Sequence, residues 1–310
     1  MAAYIAKRVG LMFLTLFFVV TLTFFLMRSI PGDPVASKAR ILPPGVQENY
    51  IRKLGLDKPL LVQYFKYLQN LVKLDLGDSF KYPGRSVSST IATMSPVSAR
   101  VGGLALVAGT IIGIALGIVA ALFKNKWPDY IVMLLAIIGV TVPAFVLASL
   151  MQYLLSVKLG LLPTFGWGTP KHYVMPVIAL SFSSIATFAR YMKSGMLETM
   201  NQDYILTAQS KGVSEFNVVR KHALRNSFLP CLSMLAASIA AVFTGAFVIE
   251  RMFSVPGIGK YMIDSINEKD YSMVLGLTVF FSVVFVVVQL LVDIVYVLVD
   301  PRIRLMRDEN

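Results

Sequence analysis

Six runs of apolar residues, near 9–30, 101–123, 130–157, 174–192, 229–250 and 273–299, each reach the length a helix needs to cross a bilayer. About 20 residues rising 1.5 Å each cover roughly 30 Å of hydrocarbon. Lipid offers no water to satisfy backbone N–H and C=O groups, so such a run folds as a helix that bonds itself. The chain is therefore predicted to be all-α, a polytopic membrane protein with six transmembrane helices. Its composition agrees, with 56% hydrophobic and 15% charged residues where globular domains carry about 25% charged.

The first run differs from a secretory leader. It extends from Val9 to Met27 and is followed by Arg28, Pro31 and Asp33, whereas a leader has a core of roughly 7–15 residues and a small-residue cleavage site. We read it as a retained span. One cysteine, Cys231, and two distant histidines, His172 and His222, argue against a disulfide framework, a zinc site or an acid–base pair. Gly257, Ile258, Gly259 and Lys260 resemble a phosphate loop only in part, because Ser254 stands at the first glycine position and Tyr261 replaces Ser or Thr. The chain is thus expected to be no enzyme and to hold no metal or cofactor.

Basic residues set the expected orientation. With the N-terminus inside, Lys7, Arg8, Lys124, Lys126, Arg190, Lys193, Lys211, Arg220, Lys221, Arg225, Arg302, Arg304 and Arg307 all fall on the inner side. Short outer loops carry Lys158, Lys171, Lys260 and Lys269, the asymmetry of a protein with both termini cytoplasmic. The net charge of +12 then reads as a topology signal with attraction to membrane lipid, and nucleic acid is not expected as a partner.

Three parts follow along the chain: residues 1–30 with span 1, an extracytoplasmic segment 31–97, and a five-span core 98–310 with a cytoplasmic tail. In the second part, Asp57 is read as an N-cap ahead of Pro59, and Leu61, Tyr64, Leu68, Leu71 and Val72 recur at helical spacing. This amphipathic helix either meets an external partner, caps a pore or packs on the chain's own spans. In span 2, Ala105, Gly109, Gly113, Gly117 and Ala121 make a stripe of small residues, a face for close helix packing against another span of this chain or a second subunit. Pro143 predicts a kink in span 3, and Ser181, Ser183, Ser184 and Thr187 in span 4 either bond neighbouring helices or line a wet path. Asp293 and Gln289 lie on one face near the inner edge, a structural placement, and no set of midplane acids points to a proton- or sodium-driven pump.

The polar loop 193–228 stands apart. Tyr204, Ile205, Ala208 and Lys211 predict one short helix, Gly212 a left-handed break, Ser214 an N-cap, and Phe216, Val219, Ala223 and Leu224 a second helix. A solvated loop on headgroups would leave Phe216, Val218 and Val219 unexplained, so the pattern favours a docking hook.

These residues resemble the coupling loop of ABC importer permeases, whose pattern is E-A-A, three residues, glycine, then I-x-L-P. Aligned on Gly212, Leu206, Thr207 and Ala208 take the first slots and His222 to Arg225 the last, so Ala208, Gly212 and Leu224 match. The run Ala208, Lys211, Gly212 and His222 to Asn226 is closer to the oligopeptide and dipeptide branch, first-permease type, as are Pro31 to Pro34, Phe253, Pro256 to Gly259, and Asp300 to Arg302. The resemblance implies the type I ABC importer fold in a bacterial cell membrane. It also implies a second homologous permease, two cytoplasmic ATPases that bind the ATP and Mg, and an extracytoplasmic peptide-binding protein. Ala208, Lys211, Gly212, Val213, Ser214, Glu215 and Phe216 would form the ATPase contact, with His222, Arg225 and Asn226 orienting it. The cargo would be oligopeptides; dipeptides, a nickel chelate or glutathione remain alternatives within the family. From the residues alone, a channel or secondary transporter with a regulatory loop stays open.

Overall fold

The computed structural model describes residues 2–29, 45, 48–49, 51–52, 55–82, 84–228, 231–232, 234–235, 238–239, 242 and 246–299. The run predicted at 229–250 lies mostly outside the described residues, and Pro31 to Pro34, Asp300 to Arg302 and the side chain of Asp293 lie wholly outside them.

Among the described residues the chain is helices and turns with one isolated bridge, Asp78 to Ser86. The helices are α1 (Ala2–Ser29), α2 (Leu60–Val72), α3 (Val87–Leu122) and α4 (Trp127–Thr141). After them come α5 (Ala144–Met151), continued by a π-helical stretch Gln152–Lys158, then α6 (Lys171–Met200) and α7 (Asp203–Ser210). A helical stretch at 215–227, here α8, precedes α9 (Phe247–Met252), α10 (Ile258–Asn267) and α11 (Tyr271–Val299). Among the described residues, four segments are long and apolar enough to cross a membrane: Arg8–Ser29, α3, α6 and Tyr271–Leu291. The pair Trp127–Thr141 and Ala144–Lys158, bent by 105°, is a fifth candidate.

The chain divides into two units. In the first, residues 1–98 and 256–290, the core is aromatic: Phe24, Met27, Tyr64, Tyr271, Val274 and Leu275 are buried together. Phe24 stacks on Tyr67 at 5.7 Å between ring centres and meets Tyr64 at 5.3 Å. Asp270, 2% exposed, precedes α11 and accepts hydrogen bonds from Ser79 Oγ, Phe80 N–H and Met273 N–H. That carboxylate ties the loop after α2 to the start of α11.

Two expectations for α2 need correction. The N-cap is Pro59, with no side-chain cap, and not Asp57. Asp57 instead lies in a turn opened by Gly55 at φ +69°, and Gln63 Nε2 closes that turn by donating to the Lys58 carbonyl at 2.7 Å. The buried face is also rotated. Tyr64 is buried and Tyr67 and Leu68 pack beside it, while Leu61 and Val72 are exposed, at 62% and 86%. Aromatic pairing with α1 won over the aliphatic periodicity. The reading in which α2 packs on the chain's own span therefore describes this inner face.

The second unit holds residues 99–255 and 291–310. Ala105, Gly109, Gly113, Gly117 and Ala121 are all buried, and the three glycines lie against α6. A Cβ on Gly109 would meet Ser184 Cβ at 2.5 Å, one on Gly113 the Ile185 carbonyl at 2.7 Å, and one on Gly117 the Ala189 carbonyl at 2.6 Å. The stripe thus packs on a span of the same chain. Ser181 Oγ donates to the Val177 carbonyl of its own helix at 2.6 Å.

At Pro143 the sequence predicts a kink and the structure has a break. Val142 is extended, as a residue before proline is driven to be, and Pro143 follows at ψ 138°. Two consecutive extended residues turn the chain by 105°.

Candidate functional site

The loop between α6 and the apolar run that follows folds as a two-legged hook in the second unit. α7 ends in a Schellman turn: Gly212 N–H donates to the Gln209 carbonyl at 2.9 Å and Val213 N–H to the Ala208 carbonyl at 3.2 Å. Gly212 sits at φ +77°, a conformation that glycine adopts without the steric cost of a Cβ. The motif brings its two flanking side chains together, and Ala208 and Val213 both join the hook's apolar core. Ser214 then caps α8 in position, in extended conformation, although its hydroxyl accepts from Asn217 Nδ2 at 3.0 Å instead of from a backbone N–H.

The inner face is dry. Ile205, Ala208, Val218 and Ala223 are buried against Phe188, Met192 and Met196 of α6. At the base, a Cβ on Gly195 would lie 2.6 Å from the Ser227 carbonyl, so α8 seats directly on α6. Asn226 Nδ2 donates to Tyr204 Oη at 2.7 Å and links the two legs.

The outer face is different. Lys211, Gly212, Ser214, Glu215 and Phe216 are exposed together at the tip, with Phe216 at 71% and Leu206 nearby in sequence at 56%. Arg220, Lys221 and Arg225 are exposed on α8. The structure therefore divides the predicted residues: Ala208 is 8% exposed and shapes the turn from inside, Val213 is partly buried beside it, and the remaining tip residues face outward. Asn226 is exposed and bonds Tyr204 across the two legs. His222 is half-buried in the π-helical turn Val218–Ala223.

One polar pair in this unit escaped sequence reasoning. Lys193 Nζ meets Asp129 Oδ1 at 2.5 Å, with the Asp129 side chain 4% exposed. Asp129 Oδ2 also accepts from Asn125 N–H at 3.1 Å. The pair fastens the turn between α3 and α4 to α6, two turns before the hook. Removing one partner of such a pair leaves a poorly solvated charge and costs about 3 kcal/mol. Asp129→Ala and Lys193→Met are each expected to lower the thermal unfolding midpoint by several degrees. Their combination should cost less than the sum, and strict additivity in a double-mutant cycle would deny the coupling.

Comparison with known proteins bears on this arrangement. The pattern of the family described as "Binding-protein-dependent transport system inner membrane component" matches residues 113–305, and the companion N-terminal pattern matches residues 1–95. The chain belongs to this family. This transport component is similar to the dipeptide transport system permease protein DppB of Bacillus subtilis, at 43% identity over 98% of this chain and 99% of the relative. It is also similar to the oligopeptide transport system permease protein OppB of Haemophilus influenzae, at 39% over 98% of this chain and all of the relative. The OppB protein of Escherichia coli matches at 39% over 94% of this chain and 95% of the relative. With its apolar helices, the family component is a multi-pass membrane protein, and the family match takes in the glycine stripe from Gly113 on, the Asp129–Lys193 pair and the whole hook.

Proposed function

We propose that this chain is a permease subunit of an ATP-driven importer of oligopeptides, built on six membrane spans with both termini in the cytoplasm. The observation that carries the reading is the hook: a stiff, glycine-turned element with a dry inner face and an exposed aromatic tip. A transporter driven by separate ATPases needs such a part. Closure of two ATPases around ATP and Mg becomes a movement of the spans only if the contact transmits force without bending. Lys211, Gly212, Ser214, Glu215 and Phe216 make the contact, Ala208 and Val213 hold its turn, and Asn226, with His222 and Arg225, orients it.

The partners are a second homologous permease, two cytoplasmic ATPases and an extracytoplasmic peptide-binding protein, in a bacterial cell membrane. The sixth span is the run near 229–250. Peptides are favoured as cargo because the relatives over the whole chain are named for oligopeptide and dipeptide transport. The chain itself does no chemistry on ATP or peptide.

Reconstitution tests this directly. The chain purified from its own cells is expected to bring stoichiometric ATPase, and proteoliposomes holding the assembly with its binding protein should accumulate peptide only with internal or external ATP on the ATPase side. Peptide uptake by the chain alone, without ATP, would sink the proposal in favour of a secondary transporter.

A further inference from the structure

Four buried side-chain polar atoms lack a hydrogen-bond partner among the described residues: Arg28 Nε, Gln63 Oε1, Tyr67 Oη and Thr110 Oγ1. Three of those residues, Arg28, Gln63 and Tyr67, line one cavity of about 200 Å³ in the first unit. A buried polar atom without a partner costs about 1–3 kcal/mol; Arg28 Nε and Tyr67 Oη are donors and Gln63 Oε1 is an acceptor, so a group that pairs an oxyanion with a hydroxyl would satisfy all three.

The lining selects what that is. Arg28, Lys58 and Lys66 bring three positive charges and Asp75 and Asp78 two negative ones, and three minus two leaves one net positive charge. The Arg28 guanidinium lies 5.6 Å from the Phe24 ring centre and 5.7 Å from that of Tyr271. Those rings hold it in place while its Nε stays unpaired, the geometry in which a guanidinium takes an oxyanion. Burial pushes the Tyr67 phenol well above its ordinary pKa, so it remains a donor. Asp75 is partly engaged, since its Oδ1 accepts from Gly77 N–H at 2.9 Å.

Position distinguishes lipid from solute. Tyr64 Oη lies 2.7 Å from Thr21 Oγ1, and Thr21 is eight residues before the end of α1, about 12 Å down the helix axis. Tyr67 stacks on Phe24, five residues before that end, and Arg28 lies in the last turn, so α2 runs beside the last turns of the span and the cavity sits at the level of its end. The outward residues of α2 suit that depth: Leu61, Phe65 and Val72 are 62%, 65% and 86% exposed, the pattern of a helix lying in a membrane interface.

We infer that the cavity between the end of α1, α2 and the start of α11 is a binding site for the phosphodiester headgroup of an anionic glycerophospholipid. Arg28 and Tyr67 hold the phosphate from below, and Lys58 and Lys66 approach it from the more exposed side. A single net negative charge, as in phosphatidylglycerol, balances the lining better than a zwitterion. The site rests on membrane embedding alone; its assignment to the outer leaflet rests on the topology proposed above.

Native mass spectrometry of the full-length chain, in the assembly in which it purifies, tests the site under graded delipidation. The wild type is expected to retain one phosphatidylglycerol per chain in preference to phosphatidylcholine. Arg28→Gln should weaken that retention about tenfold, as loss of a charge-assisted contact does. The double variant K58Q/K66Q, altered at exposed positions that leave the aromatic core intact, should weaken it as well, and Lys124→Gln should not. Equal retention by wild type and K58Q/K66Q would overturn the inference. So would displacement of the lipid by inorganic phosphate or by glycerophosphoglycerol at equal concentration, which would make the site one for a soluble anion. Lipid retained as expected, but in the opposite leaflet by side-specific lipid exchange, would overturn the topology and leave the site standing.

Discussion

Phe216→Ala is expected to cut ATP-dependent peptide uptake about 30-fold or more while leaving the unfolding midpoint within a degree of wild type. The two halves of that expectation come from one fact: the ring is 71% exposed. An aromatic side chain in water contributes little to the fold of its own chain, so truncation removes no core packing. Seated in a partner's groove it is the type of residue that dominates interfaces, with truncation costing about 2 kcal/mol or more, which is about 30-fold in affinity. Val218→Ala, two residues on, should behave oppositely, because Val218 is fully buried in the hook's core. Its loss should lower stability first and uptake as a consequence. Gly212 gives a graded check on the same contact. Nothing lies within 4 Å of a Cβ built there, so a substitution meets strain and no clash. Gly212→Val should suffer by about 1–2 kcal/mol from the left-handed backbone, and Gly212→Asn by less, since asparagine tolerates that region. The measurements are ATPase retained per permease on purification and peptide uptake into proteoliposomes. Uptake unchanged in Phe216→Ala would remove the tip from the coupling contact.

What could be read from the sequence was what is decided locally. The left-handed break at Gly212, the position of Ser214 before α8 and the small-residue face of α3 all follow from rules that act within a turn or two, and all are in the structure. Pro143 was legible as a disturbance but not in size, because the outcome depends on two successive residues, Val142 and Pro143, both adopting extended geometry. α2 was misread where long-range packing overrode periodicity: Tyr64 and Tyr67 find Phe24, some 40 residues away in the chain, and the helix turns to bring them inward. The pair of Asp129 and Lys193 was invisible for the same reason, the two being 64 positions apart in the chain. A hint was present in an acid, Asp129, at the first turn of an apolar helix, where the macrodipole alone would account for it. In the site itself, the hook's shape was legible and the side each residue faces was not: Ala208 has the spacing of a contact residue and the burial of a core one.

Gly117→Val is expected to be strongly damaging, with a destabilisation of about 3 kcal/mol, the upper end for overpacking. The size follows from what the new Cβ would meet. At Gly117 it would lie 2.6 Å from the Ala189 carbonyl oxygen and 2.7 Å from Met192 Cβ, and at Gly113 it would lie 2.7 Å from the Ile185 carbonyl and 2.8 Å from Phe188 Cβ. These are backbone and Cβ atoms of a helix, which cannot swing aside as a side-chain tip can. The helices must therefore separate, and the separation is shared along the stripe from Gly109 to Gly117. Between membrane helices close packing is the main attraction, since lipid is as apolar as leucine, so lost contact is not recovered by burial. α6 also carries the hook on its far end, through Gly195 against Ser227 and through the buried methionines. A shift of α6 should therefore lower transport as well as stability. Gly103→Val is the control on the same helix, because nothing lies within 4 Å of its Cβ while the change in helix propensity is the same. Thermal unfolding in detergent and peptide uptake, measured for both variants, separate the two effects. Equal losses would mean that the glycines matter for backbone flexibility and not for the approach of α3 to α6. Loss confined to Gly117→Val would mean that the approach of these two helices is what the stripe of small residues provides.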